Sequence, residues 1–193
     1  MHRREPGTMP NNDPKHNHIY TAFFCEENIW QLGSALATKP GLLDDAKTLV
    51  FCNKSDAIAL FNQSLAEPGG YVVWDYHVVL RARIDGQDKI FDFDSRAPFP
   101  CPAHSYFVLT FRHQQSLPAA YRTLVREIPL DAYLQRFSSD RSHMQQHISR
   151  DQFPNYPPII APPEQLPIWL PDYRNPDKPL DDGSRVLDVA TYM

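Results

Sequence analysis

The residues best equipped for chemistry are one cysteine, one histidine and two aspartates, met in that order. Cys25 opens the stretch Phe24-Cys25-Glu26-Glu27-Asn28-Ile29-Trp30, and Ile29, Leu32 and Leu36 follow at spacings of three and four. That periodicity predicts a helix from Glu26 to about Ala37, with Cys25 at the head of its apolar stripe. A helix N-terminus carries partial positive charge, which favours thiolate over thiol. Thiolate is the form that attacks a carbonyl carbon. The competing reading is a free core cysteine that packs as a small hydrophobe. A histidine can take the thiol proton and return it to a leaving group, and a carboxylate can hold that ring in the useful tautomer. His77 and the pair Asp92 and Asp94 supply those types.

The elements that must position them are a helix and a hairpin. Tyr71 to Ile84 alternates, with Trp74, Tyr76, Val78, Leu80, Ala82 and Ile84 on one face and Asp75, His77, Val79, Arg81 and Arg83 on the other. Asp85-Gly86 predicts a tight turn. The returning strand, Lys89 to Asp94, carries Ile90, Asp92 and Asp94 on one face. A tight turn pairs Ile84 with Gln87 and sets His77 opposite Asp94. Asp92 is then one diagonal step away, still within side-chain reach.

Elsewhere, Lys39-Pro40-Gly41 ends the first helix, and Thr48 to Cys52 reads as a buried strand holding a core Cys52. Ala57 to Leu65 fits helix or strand, and Tyr106 to Phe111 fits another strand. Leu117 to Leu124 reads as a weak helix or turn. Asp131 is a candidate N-cap for a helix whose stripe is Leu130, Leu134 and Phe137. Cys101, between two prolines, reads as a packed loop thiol. Ser184 to Val189 fits a last strand.

The 193 residues suffice for one domain with a real core. Residues 1–18 read as a flexible arm and 19–193 as a single catalytic domain. Nine of the 19 prolines follow residue 150, so residues 151–193 read as an extended wrapping tail in which Ile159, Ile160, Ile168, Trp169 and Leu170 call for burial. Such a tail could also serve a proline-reading module. The net charge of -4 gives no basic footprint for nucleic acid. No apolar run is long enough to span a membrane, and Met1 to Pro6 leads into no apolar signal region. Three cysteines without a CxxC pair argue against a disulfide framework or a zinc ribbon. His16 and His18 lack a third ligand nearby, so no metal and no other cofactor is read from the chain. The expected setting is the cytoplasm, with the nucleus open to so small a chain.

The words around the chemical residues are more specific than their order. The Cys25 stretch, Val73-Trp74-Asp75-Tyr76-His77-Val78-Val79-Leu80, Phe91-Asp92-Phe93-Asp94, Pro98-Phe99-Pro100-Cys101 and Ser139-Asp140-Arg141-Ser142-His143-Met144 resemble, in the same order, the protein N-terminal glutamine amidohydrolase family. The likeness is dense from Tyr20 to Met144 and thins in the tail. It implies an α+β fold with a papain/transglutaminase-like core, in which the nucleophile helix packs on an antiparallel sheet. It also implies no metal, with Cys25, His77 and Asp92 as nucleophile, base and acid; the hairpin register leaves Asp94 as rival to Asp92. The implied reaction converts N-terminal glutamine of a protein to glutamate, which an arginyltransferase extends for the N-degron pathway, and the expected state is a monomer.

Selectivity for a chain end needs a partner for the free α-ammonium, because an unpaired buried charge is expensive. Glu26, Glu27 and Asp75 are the candidates, although acids in a first helical turn also simply suit the dipole. Tyr20 or Trp74 could add an oxyanion donor to the Cys25 backbone N–H. Trp30 and Trp74 also fit as core. Asp140-Arg141-Ser142-His143 either borders the site or locks a loop. A cysteine peptidase, a transglutaminase or a non-enzymatic module that reads N-termini are the alternatives.

Overall fold

The hairpin that carries His77 forms in the expected register. In the computed structural model, which describes residues 14–38 and 44–193, Ile84 pairs with Gln87 and Leu80 with Phe91. The helices are α1 (Cys25–Ala37), α2 (Ala103–Thr110), α3 (Leu130–Arg136) and α4 (Leu170–Arg174). The strands are β1 (Asp44–Cys52), β2 (Ile58–Phe61), β3 (Tyr71–Trp74), β4 (His77–Ile84), β5 (Gln87–Phe91), β6 (Cys101–Pro102), β7 (Leu124–Pro129), β8 (Phe137–Ser138), β9 (Ile168–Trp169) and β10 (Arg185–Asp188). Six of them form one antiparallel sheet in the order β10-β7-β1-β4-β5-β6. The result is a mixed α/β fold with a mostly antiparallel sheet and few helices. None of the described helices is long and apolar enough to cross a membrane.

The sheet is buried on both faces. On one, Ile29, Leu32 and Leu36 of α1 pack with Val50, Val78, Leu80, Ala82, Ile128, Leu130 and Tyr133. On the other, Leu49, Phe51, Val79, Ile90 and Val125 pack with Tyr106, Phe107 and Phe111. This explains why β4 is apolar at successive positions near its start. Each large apolar side chain so buried contributes about 1.5–3 kcal/mol. The close approach of α1 to α3 needs Gly33, where an added Cβ would lie 2.8 Å from Leu130 Cδ1.

Several expectations are corrected. The alternating stretch Tyr71–Ile84 is two strands: β3 pairs with β2 in a separate ribbon, and the chain bends at Asp75-Tyr76 before β4. Tyr76 keeps the face that alternation gives it, in the α1 core with Val78, Leu80 and Ala82, and Asp75 pairs with Arg174. Tyr106–Phe111 is largely helix. Tyr106, Phe107 and Thr110 face inward at helical spacing while Val108 and Leu109 are exposed, and a short apolar run hides that period. Ile128-Pro129 belongs to β7, so α3 starts at Leu130 behind Pro129 with no side-chain cap and Asp131 is not the N-cap. Cys101 lies on β6 and is buried. Pro14–Asn17 is a 3-10 turn, and the buried Lys15 donates to the Phe93 and Ser95 carbonyls at 2.9 and 2.6 Å. The end of the expected arm is therefore docked. Its first 13 residues and the Lys39-Pro40-Gly41 stop lie outside the described residues.

Two buried arginines fasten the chain after β8. Arg126 donates to the carbonyls of Tyr173, Asn175 and Lys178 and to Ser184. Arg141 donates to those of Tyr156 and Pro157. Ile168 and Leu170 are buried, whereas Ile160 and Trp169 stay exposed.

Candidate active site

Cys25 is the first residue of α1, and the loop before it is held by Asn28. The Asn28 amide accepts from Thr21 N–H and donates to Thr21 C=O, both at 2.8 Å. The N-cap residue, Phe24, makes no side-chain cap to the helix. The backbone N–H of Val78, the residue after His77, works toward the thiolate of Cys25. This is where α1 meets the start of β4. Burial, then the charges of Glu26 and Asp94, push the Cys25 thiol well above its usual range.

His77 and Asp92 are both buried, and His77 Nε2 lies 2.9 Å from Asp92 Oδ1. The ladder ends at Phe91, so Asp92 is free to turn its side chain toward the ring. Asp92 Oδ1 also accepts from Asp94 N–H at 2.9 Å, and Oδ2 accepts from Tyr106 at 2.9 Å and from Gln63 at 3.3 Å. Burial opposes the charge on Asp92, but the His77 ring and these donors hold its pKa down to about 2. Burial likewise opposes a charged His77, yet Asp92 and Asp94 raise its pKa. Trp74 stacks over the His77 ring, with centroids 6.0 Å apart and planes 15° off parallel.

Asp94, the rival acid, accepts instead from the Tyr20 hydroxyl at 2.7 Å, and the Tyr20 ring stacks on Phe93. Burial raises the pKa of Asp94. His77, Asp92 and Asp94 are also the one group among the described residues with the spacing of a metal site. The atoms that would bind a cation there already bond to one another and to Tyr20.

The three candidate partners for a substrate ammonium separate. Glu27 is buried and gives both carboxylate oxygens to Arg141, at 2.8 and 2.7 Å. Its carboxylate thereby anchors the Arg141 loop. Asp75 is half-exposed and lies 3.0 Å from Arg174. Glu26 is fully buried beside the sulfur, with Oε2 accepting from the Cys25 thiol at 3.6 Å and from Tyr76 at 2.8 Å. Its Oε1 has no hydrogen-bond partner. Burial raises the Glu26 pKa to about 7.

The sequence did not point to Tyr106 and Gln63 on Asp92, nor to Tyr76 on Glu26. Tyr106 sits in the helix misread as strand, and Gln63 in the stretch left open between helix and strand. His143 Nε2 lies 3.3 Å from the Tyr76 hydroxyl and 3.7 Å from Glu26 Oε1, so the Asp140-Arg141-Ser142-His143 segment both borders the Cys25 surroundings and locks its loop through Arg141. Trp30 is structural, donating to the Leu134 carbonyl at 3.1 Å. An open cleft of about 720 Å³ between Arg81, Phe107 and Tyr192 lies elsewhere. Its acids are taken, Glu127 by Arg185 and Tyr192 and Asp88 by Arg81 and Arg83.

A thiol at a helix start, beside a strand that opens with an imidazole bonded to a charged carboxylate, is the equipment of cysteine-dependent acyl transfer. The particular lineage follows from comparison: the chain belongs to the N-terminal glutamine amidase family, which matches residues 20–185. It is similar to proteins named protein N-terminal glutamine amidohydrolase. The relative from Bos taurus is 34% identical over 155 residues, covering 78% of this chain and 75% of that protein. The Homo sapiens relative is 34% identical over 155 residues, covering 78% and 76%. The Danio rerio relative is 33% identical over 152 residues, covering 77% and 75%.

Proposed function

We propose that this chain hydrolyses the side-chain amide of an N-terminal glutamine, with Cys25 as nucleophile, His77 as proton carrier and Asp92 as the acid that orients His77. The observation that carries the reading is the buried His77–Asp92 pair at 2.9 Å, with His77 opening the strand whose next N–H favours the Cys25 thiolate. Family membership supplies the substrate. Because Nε2 is engaged by Asp92, Nδ1 is the nitrogen left to exchange a proton with the thiol. The thiolate attacks the δ-carbon, and an S–C bond forms. The tetrahedral oxyanion draws on the Cys25 N–H at the head of α1; of the two further candidates, Tyr20 gives its O–H to Asp94, which leaves Trp74, whose Nε1–H has no partner. The imidazolium protonates the departing nitrogen as the C–N bond breaks, and ammonia leaves. Water, deprotonated by His77, cleaves the thioester to give glutamate and restores the thiol.

Residues 19–193 act in this reading as one catalytic unit with the papain/transglutaminase-like arrangement, α1 lying across an antiparallel sheet. Of the three acids, Glu26 is the one with a carboxylate oxygen left for the substrate's α-ammonium, and Asp75 is the second candidate. The product's glutamate would be the substrate of an arginyltransferase that feeds the N-degron pathway. The chain would work as a monomer, in the cytoplasm or nucleus.

Incubation of a short Gln-initiated peptide with the protein is expected to release ammonia and raise the peptide mass by about one unit. The Cys25→Ala variant is expected to fold and release none; ammonia at the wild-type rate from that variant would overturn the assignment.

A further inference from the structure

We propose that the substrate's own α-ammonium, seated on Glu26, is what permits Cys25 to ionise, so that recognising the chain end and arming the nucleophile are one event. This rests on the deamidation reading above and names the device that restricts it to N-termini.

The argument starts from a conflict. A carboxylate oxygen 3.6 Å from the sulfur is a poor neighbour for a thiolate, since like charges close together in a dry pocket disfavour ionisation. Among the charges that raise the Cys25 pKa, Glu26 is foremost. A site built only to stabilise thiolate would not hold an acid there.

The surroundings do not resolve the conflict. Around Glu26 stand Cys25 and Glu27 from α1, Asp75 and Tyr76 from the β3–β4 link, His77 at the head of β4, whose positive form Asp92 already holds, Tyr133 from α3, Tyr156, and His143 from the 3-10 turn Ser142–Met144. Tyr76 donates to Oε2, and the Tyr133 hydroxyl donates to the Glu26 backbone carbonyl at 3.1 Å. Burial and Arg174 keep His143 below its usual pKa, so near neutrality the ring brings no positive charge. The two nearby guanidinium groups are engaged: Arg141 by Glu27, and Arg174 by Asp75 while it stacks over Tyr76 at 4.5 Å. Glu26 Oε1 is left buried without a hydrogen bond, the His143 ring nitrogen standing off at 3.7 Å. A buried carboxylate in that condition calls for a small cation.

The substrate brings one. In glutamine the α-nitrogen is four bonds from the δ-carbon, a reach of about 4–5 Å when extended. An ammonium on Oε1 therefore leaves the δ-carbon within reach of the sulfur beside Oε2. Pairing cancels the Glu26 charge that opposed the thiolate. An internal glutamine or a blocked N-terminus brings no cation, so it meets a thiol that stays protonated.

The test uses two peptides: one beginning with glutamine, and the same peptide with a glutaramoyl group in its place, which keeps the amide and lacks the amine. The wild type is expected to favour the amine peptide by about 100-fold or more in kcat/KM. Glu26→Gln keeps the size and an acceptor for Tyr76. That variant should lose most of the preference and turn over the glutaramoyl peptide faster than the wild type does. Its free thiol should react with iodoacetamide at neutral pH about tenfold faster than the wild-type thiol. A merely structural role for Glu26 would lower activity without making the thiol more reactive.

Equal turnover of the two peptides by the wild type would overturn the inference, and that comparison needs no variant to fold. Unchanged alkylation in Glu26→Gln would overturn the coupling to the thiol. Ammonia from neither peptide would instead remove the deamidation reading itself.

Discussion

Asp92 and Glu26 are both buried carboxylates within the site, and they are treated in opposite ways. Asp92 has four donors, from His77, Asp94, Tyr106 and Gln63, and its pKa is held down to about 2. Glu26 has the Tyr76 hydroxyl and the Cys25 thiol on one oxygen and no hydrogen bond on the other, and its pKa is pushed up to about 7. A fully wired acid is a fixed part of the machine, already paid for in folding. An acid left short of partners is a socket. The difference separates the group that orients His77 from the group that awaits a ligand.

The two acids also contribute to stability with opposite signs. Asp92 is depressed from 3.8, so its contribution is present above about pH 4 and is lost as pH falls through about 2. Glu26 is raised from 4.5, so its neutral form favours the fold below that value. The advantage disappears as pH rises through about 7.

The sharpest way to break the comparison is Asp92→Asn. It leaves the shape but removes the charge that supports a protonated His77, and kcat should fall roughly 10³–10⁴-fold. An activity within tenfold of wild type would show that Asp92 is not the orienting acid. Glu27 offers a control on the same helix, since it is buried like Glu26 but fully paired like Asp92. Arg141→Ala leaves that carboxylate without its cation and should cost about 3–5 kcal/mol in denaturant unfolding. It should also expose the chain near Tyr156 to proteolysis, because Arg141 holds that carbonyl. Glu26→Gln should move stability the other way. Above pH 7 it should be more stable than wild type by about 1–3 kcal/mol, with the gain vanishing near pH 4. The smallest effect is expected from Tyr106→Phe, which removes one of the donors on Asp92 and should cost about 1–2 kcal/mol. A pH titration followed by thermal melting would show whether the acid limb of that variant moves upward.

Much of this contrast was legible in the sequence, but unevenly. The hairpin register followed from Asp85-Gly86, and it placed Asp92 within reach of His77 on chemistry that depends only on strand spacing. Cys25 at a helix start followed from the spacing of Ile29, Leu32 and Leu36. Choosing Asp92 over Asp94 needed the family likeness, because the ladder's end at Phe91 is a tertiary event. The partners that decide each acid's charge come from distant segments: Tyr106 from a helix whose short apolar run looked like strand, Gln63 from the loop after β2, and Arg141 more than a hundred residues from Glu27. Local periodicity cannot report such meetings. Alternation likewise suggested Trp74 on the face opposite His77. The bend at Asp75-Tyr76 brings the two rings into a stack.

The central claim is that Cys25 carries the substrate through a thioester. Acid quenching during turnover of a Gln-initiated peptide, followed by intact-protein mass and mapping, tests it most directly. The account predicts an adduct on Cys25 equal to the peptide less ammonia, absent when the peptide begins with an acetylated glutamine. Ammonia released at full rate with no adduct on Cys25, and undiminished in Cys25→Ala, would contradict it.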